Sequence, residues 1–287
     1  MNRRHFAKMI RDEFPDIDLT ISRFITHGWD HFVLISKDKK VLRIPKDNRY
    51  RFKFGNEIKL LKYLKNKVSV GIPYYKYISS TGEFAGYDML IGKDLTADTF
   101  KKLSRKDKEL LAEQLGEFLT GLHNIPVAKI GSMCVETVDN LKQFKNLENN
   151  IKQYLHSKLS DNEIKLINSY MVTLKETFAH NYTKVLVHND LSGEHILWDR
   201  KNFKVNIIDF SDREIGDPAM DFTGFFEFGE EFAQQVYSFY KGRKDVSFLY
   251  RAKLYFKRVP LYIMIDSQQG FPCTFDEGYE MFKKLYK

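Results

Sequence analysis

The 287-residue chain is 43% hydrophobic and 29% charged, with seven prolines and 16 glycines, a balance that supports a sizeable core and excludes wholesale disorder. Its length allows one large domain or two modest ones. The formal net charge of +8 suggests an anionic partner, nucleic acid first, yet residues 1–100 hold 19 Lys and Arg against 12 Asp and Glu while residues 101–287 hold 27 against 26, so an even basic coat is excluded.

Residues 2–14 carry Phe6, Met9, Ile10 and Phe14 at helical spacing, and Pro15 stops that helix. Ile21–Ile25, Phe32–Ser36 and Val41–Pro45 alternate β-formers around the turns at His27–Asp30 and Lys37–Lys40, which reads as an antiparallel meander. Ile58, Leu60, Leu61 and Leu64 mark an amphipathic helix over 55–67. Two further strands are expected near Tyr74–Ser79 and Gly86–Ile91, around Ser80-Thr81-Gly82. From Ser104 the period becomes helical: Leu110, Leu111, Leu115, Phe118, Leu119 and Leu122 form a stripe that ends near Asn124. Helices are expected over 140–156 and 160–180, a strand at Lys184–His188, and two short strands at Ile196–Asp199 and Val205–Asp209. Everything after Pro218 reads as helix. The expected fold is α+β, with a small antiparallel β-rich lobe with one internal helix over 1–90 and a larger, mainly helical lobe over 91–287.

Cys134 and Cys273 are far apart and belong to no CxxC pair, so neither a zinc knuckle nor a disulfide framework is expected, which suits a reducing cytoplasm. Arg11, Asp12 and Glu13 interrupt any apolar stretch after the opening residues, so no signal peptide is expected. No uncharged apolar run approaches the about 18 residues that span a bilayer.

The informative stretch is Val187-His188-Asn189-Asp190-Leu191-Ser192-Gly193-Glu194-His195-Ile196-Leu197-Trp198-Asp199. An apolar strand delivers a His and an Asp onto a loop, His195 follows five residues later, and the chain returns to a strand. Ten residues after Asp199, the apolar run Ile207-Ile208 ends in Asp209. Either aspartate alone reads as a loop cap. The spaced set of Asp190, His195 and Asp209 matches what a kinase requires, a base for an acceptor hydroxyl and two metal ligands beside a triphosphate.

These residues resemble the aminoglycoside phosphotransferases, a branch of the protein-kinase-like fold. Residues 188–197 match the His-Asn-Asp-x-Ser-x-x-His-Ile-Leu pattern of the group acting on the 2″-hydroxyl. The resemblance extends to Ile207-Ile208-Asp209-Phe210, Gly216-Asp217-Pro218-Ala219-Met220-Asp221-Phe222 and Phe118–His123, and spans roughly residues 20 to 260. It implies a bilobal fold with Asp190 as the catalytic base that takes the hydroxyl proton. It implies magnesium held by Asp209 and His195, an imidazole being an unusual magnesium ligand. His188 is expected to brace the loop.

The same resemblance assigns ATP or GTP to the small lobe. Arg43 stands where kinases carry a lysine, with Glu57 as its ion-pair partner. Gly28, in Thr26-His27-Gly28-Trp29-Asp30-His31, belongs to the expected nucleotide loop, and Asp88 and Leu90 to a hinge over 87–92 whose backbone meets the purine.

Residues 209–231 contain eight acids and one base, Arg213, a charge pattern suited to a cationic aminosugar. Glu227, Glu230 and Glu231 match the acidic substrate helix of the 2″ group and are expected on one helix face; Asp266 is a further candidate. The expected partners are therefore a nucleoside triphosphate and a cationic aminosugar, with neither nucleic acid nor membrane, and the chain is expected to act as a monomer in the cytoplasm. The alternatives are a choline, homoserine, thiosugar or macrolide kinase of the same fold, or a nucleotide-binding pseudokinase.

Overall fold

In the computed structural model, residues 3–20, 22–26, 30–180 and 182–287 are described. Helix α1 (Arg3–Glu13) buries Phe6 and Ile10, one turn apart, against the outer face of the N-terminal sheet. Glu13 closes it by accepting from Ser79 Oγ at 2.7 Å and the Ser80 N–H at 2.6 Å. Strands β1 (Arg23–Ile25), β2 (His31–Ile35) and β3 (Lys40–Pro45) form the expected meander. Every residue of β3 after Lys40 is buried, because both its faces are covered. Leu42 and Ile44 face α1, whereas Val41 and Arg43, of opposite parity, face the next helix.

That helix, α2 (Asn48–Leu64), begins seven residues before the expected start at 55. Asp47 Oδ1 accepts from the Tyr50 N–H, a capping contact. The first turn has no apolar stripe, and Phe52 is exposed, so periodicity was silent there. The N-terminal lobe thus carries α1 and α2, the two helices expected over 2–14 and 55–67. Strands β4 (Tyr77–Ile78) and β5 (Ala85–Asp88) are shorter than expected and complete an antiparallel sheet of order β1-β2-β3-β5-β4. Gly82 takes the left-handed turn position between them, φ 69°.

After β5 the chain passes through β6 (Lys93–Asp94), a two-residue strand too short for a sequence pattern to announce. Gly92 lies so close to Leu197 and Trp198 that a Cβ would sit 3.0 Å from their backbone, at φ 139°; glycine is what lets this crossing be tight. Helix α3 (Ala97–Lys101), also unforeseen, precedes α4 (Arg105–His123), which starts at a Ser104–Asp107 capping box and buries its leucine stripe. Then follow α5 (Val127–Ile130), α6 (Asn140–Asn150), which runs on through a π-helical turn at Ile151–Leu155, and α7 (Asp161–Phe178).

Strands β7 (Val185–Val187), β8 (Ile196–Asp199) and β9 (Lys204–Ile207) fall where expected. Their partners were not foreseen: β6 joins β8 and β9, and β10 (Glu214–Gly216) pairs with β7. Residues Pro218–Phe228 are 3-10 helix, and Gly229 at φ 105° separates them from α8 (Glu230–Phe239). The chain ends with α9 (Phe248–Phe256), α10 (Val259–Gln268) and α11 (Phe275–Leu285). Among the described residues, no helix is long and apolar enough to cross a membrane.

Phe6 is fully buried and packs against Phe24 and Phe32. Phe6→Ala is therefore expected to lower unfolding free energy by about 3–5 kcal/mol, measured by urea titration; a loss below about 1 kcal/mol would show α1 to be a dispensable cover.

Candidate active site

Strand β7 is buried throughout and carries the chain to His188, which has no exposed surface. There the backbone leaves the sheet and its amides need new partners. Asp221 supplies them: its carboxylate accepts from the His188 N–H at 2.9 Å and the Asn189 N–H at 2.7 Å. Asp221 is itself fully buried and held by His123 Nε2 at 2.9 Å, while His123 Nδ1 meets the Tyr240 hydroxyl at 2.9 Å. Asn189 can then take the left-handed conformation, φ 68°, which a short amide side chain tolerates. The turn aims Asp190 outward. Behind it Gly224 is essential to the packing, since a Cβ there would lie 2.2 Å from the Leu191 carbonyl oxygen.

His188 braces the loop as expected. Its Nε2 donates to the Ile208 carbonyl at 3.0 Å, and its Nδ1 accepts from the Asp190 N–H at 3.3 Å. Burial pushes its pKa down, consistent with the neutral tautomer these two bonds require. His195 donates from Nδ1 to the Asp190 carbonyl at 2.8 Å, with an Asp190 carboxylate oxygen 3.2 Å away. Burial opposes charge on His195, but Asp190 and Asp209 outweigh it and raise its pKa. Its other nitrogen, Nε2, lies 3.9 Å from Asp209 Oδ2.

Asp209 follows β9 and also has a positive φ, 61°. Its Oδ1 accepts from Ser211 Oγ at 2.6 Å and from Arg43 Nη2 at 3.3 Å. Burial would raise its pKa; Arg43 and then His195 outweigh it and hold the carboxyl well below the usual range. Arg43 is buried. It donates to Glu57 Oε1 at 2.7 Å, the Tyr75 hydroxyl at 3.0 Å, Ser211 Oγ at 2.9 Å and His31 Nδ1 at 3.1 Å. The Glu57–Arg43–Asp209 chain therefore crosses from α2 through β3 to the loop after β9. Burial alone would lower the Arg43 pKa, but Glu57 and its neighbours raise it further.

Asp209 and His195 are chemically suited to one divalent cation. His195 Nδ1 is committed to a carbonyl, which leaves the Nε2 lone pair on the side of Asp209 Oδ2. Asp30 adds negative charge: its pKa is raised by burial and then by Asp209. Among the described residues no three His, Cys, Asp or Glu side chains form a metal cage.

The remaining expected residues are dispersed. The Asp88 carboxylate binds Lys40 Nζ at 2.5 Å and Lys76 Nζ, and these hydrogen bonds pull its pKa down to about 2. The Met89 N–H donates to the Lys39 carbonyl at 2.8 Å, so alternation in an extended segment turns the flanking Asp88 and Leu90 backbone away from β3. Gly28, with His27 and Trp29, lies outside the described residues.

A cavity of about 580 Å³ opens beside Asp190, lined by α6, residues 189–192, the 218–228 stretch and residues 255–262. Glu227 lies near the end of the 3-10 stretch while Glu230 and Glu231 open α8, with Gly229 between them, so the three do not share one continuous helix. Glu227 lies near Gly193 and Glu194, burial and then the Glu194 charge raising its pKa. Glu230 pairs with Lys253 at 2.6 Å, Glu231 is exposed, and Asp266 is half-buried on α10, its pKa raised by burial. None of the four lines this cavity.

Sequence reasoning missed the supporting residues. Tyr75 and His31 bind Arg43 from other strands and loops. Asp217 takes a two-pronged contact from buried Arg251 at 2.7 and 3.0 Å and a third from the Tyr255 hydroxyl at 2.8 Å. Asp217 and Asp221 were visible in the Gly216–Phe222 motif, but their partners were not.

A five-stranded antiparallel sheet above a helical body, with a His-x-Asp loop and a second carboxylate meeting at their junction, defines a kinase-like phosphotransferase. The family model described as the phosphotransferase enzyme family matches residues 22–250, and the chain belongs to that family. The structure is similar to the GDP and kanamycin complex of APH(2″)-IIIa, with a TM-score of 0.86 and 26% identity over 99% of this chain and 98% of the other. The gentamicin complex of APH(2″)-IIa shares the fold at a TM-score of 0.74 and 23% identity, over 99% and 94% of the two chains. A type I macrolide 2′-phosphotransferase does so at 0.70 and 17%, over 100% and 97%.

Asp221→Ala leaves two backbone amides and His123 without their acceptor. It is expected to cost about 3–5 kcal/mol of stability and to lower kcat even at temperatures where the variant stays folded. Denaturant titration with kinetics checks this; wild-type kcat in a folded variant would remove Asp221 as the determinant of loop geometry.

Proposed function

We propose that the protein transfers the terminal phosphoryl group of ATP or GTP to a hydroxyl of an aminoglycoside, the 2″-hydroxyl being the favoured position. The carrying observation is that Asp190 stands on the wall of the cavity, with His195 and Asp209 immediately behind it. Support comes from the likeness to a phosphotransferase solved with GDP and kanamycin.

In this reading Asp190 accepts the proton of the acceptor hydroxyl as that oxygen bonds to the terminal phosphorus. The bond from phosphorus to the bridging oxygen breaks, and the nucleoside diphosphate leaves with that electron pair. The two backbone bonds to Asp221 and the His188 brace hold Asp190 in place. Asp209 and His195 would hold magnesium, whose charge offsets that of the triphosphate. Arg43 keeps Asp209 ionised and oriented, and Glu57 fixes Arg43. The small lobe, residues 1–90, takes the nucleotide, with the backbone of Asp88 and Leu90 at the purine edge. The large lobe, residues 91–287, takes the acceptor. Glu227, Glu230, Glu231 and Asp266 then act on amino groups outside the cavity, not within it. The chain is taken to work as a monomer in the cytoplasm.

Asp190→Ala is expected to lower kcat by about 10²–10⁴-fold while nucleotide affinity stays within about threefold, measured by coupled assay and titration. Retained turnover would refute the base assignment. A panel of kanamycin, gentamicin, choline, homoserine and a macrolide, scored by ADP or GDP release, is expected to give turnover with the aminoglycosides. Turnover with choline alone would place the protein among the metabolite kinases.

A further inference from the structure

Arg251 and Arg258 are both buried, and the fold treats them differently. Arg251 on α9 is neutralised by Asp217 in a two-pronged pair and by Asp245 at 2.7 Å. Arg258, at the start of α10, is only 7% exposed and, among the described residues, forms no ion pair. Among the described residues, its Nε is buried without a hydrogen bond, and its Nη2 meets Met220 Sδ, a weak acceptor, at 2.8 Å. Its guanidinium lies over the rings of Tyr255 and Phe178, at 4.9 and 5.5 Å from their centroids. Stacking of this kind orients the fork but leaves its N–H groups in need of oxygen.

Arg258 lines the cavity beside Asp190, and these two are the only charged residues of its described lining. The lining also includes Gln143, Asn146 and Asn150 of α6, Gln143 being hydrogen-bonded to Glu214. The Glu214 carboxyl, raised by burial and lowered by the Arg258 charge, is a neighbouring acid, but among the described residues it forms no ion pair with the guanidinium. A buried cation without a full partner is stable only if something in the cavity completes it. An ammonium would be repelled there. A hydroxyl or ring ether oxygen would be bound, with the amides reading its neighbours.

We propose that Arg258 is a specificity-determining residue of the acceptor cavity, binding oxygen substituents of the acceptor sugar and rejecting an amino group at the position it faces. The acceptor enters with an oxygen-bearing face against Arg258 and α6, and its hydroxyl toward Asp190. This rests on the acceptor reading given under Proposed function and narrows it to amino sugars that present such a face.

The test compares wild type, Arg258→Met and Arg258→Lys on kanamycin-type acceptors that differ by single hydroxyl-for-amine exchanges. Arg258→Met is expected to melt no lower than wild type, because it removes an uncompensated buried charge. Its KM for kanamycin should rise by about tenfold or more with the nucleotide KM within about twofold. The wild-type preference for hydroxyl over amine at one ring position should shrink by at least about fivefold, and Arg258→Lys should fall between. A lower melting temperature with an unchanged acceptor KM, or the same hydroxyl preference in all three proteins, overturns the assignment and leaves Arg258 as a brace for Tyr255. If the wild-type protein turns over none of the set, the acceptor reading falls and the assignment with it. Turnover by all three alike removes Arg258 alone.

Discussion

The geometry of the site depends on one buried carboxylate. Asp221 has no exposed surface, yet it accepts from two successive backbone amides and from His123. An anion in that position is tolerable because three donors converge on its two oxygens. The two amides are those at which β7 stops being a strand, so the charge decides where the chain turns and in which direction Asp190 projects. His188 then locks the turned segment to the strand end at Ile208. The loop behaves as part of the core, although it is a connecting segment that carries chemistry.

A second chain of charge joins the two lobes. Glu57, Arg43 and Asp209 come from a helix, a strand and a loop, and Arg43 contacts both carboxylates. Its planar fork allows it to serve several acceptors at once, which a lysine in the same place does not. The cation that the sequence suggests for phosphate contact is thus also the group that positions Asp209. Nearby, Asp217 and Arg251 repeat the principle, tying the 218–228 stretch to α9. In each case a buried charge is matched by geometry rather than by number of charges.

Net charge proves a poor guide until it is resolved in space. Part of the positive excess of the first 100 residues is consumed locally, as Lys40 and Lys76 both bind Asp88. The acidic stretch at 209–231 is likewise partly internal, since Asp209, Asp217 and Asp221 are bound to Arg43, Arg251 and His123. Among the described residues lining the cavity beside Asp190, what remains is one carboxylate and one guanidinium.

The α+β layout, the meander of β1 to β3, the long helices and the placement of Asp190, His195 and Asp209 were legible in the sequence. Hydrophobic period and strand-ending carboxylates are local signals, and local signals survive in one dimension. Short elements such as β6 and α3, the early start of α2 and the break at Gly229 were not legible, because a two-residue strand or a single glycine leaves no period to read. The pairing of β7 with β10, the reach of Asp221 to His188 across 33 positions and the isolation of Arg258 are of another kind. They depend on which buried polar groups find each other once the helices pack. The sequence alone determined which chemistry the chain carries; only the tertiary structure decided which charges are spent on holding the site and which are left to meet a substrate, because burial and partner distance, not residue type, set what a charge can do.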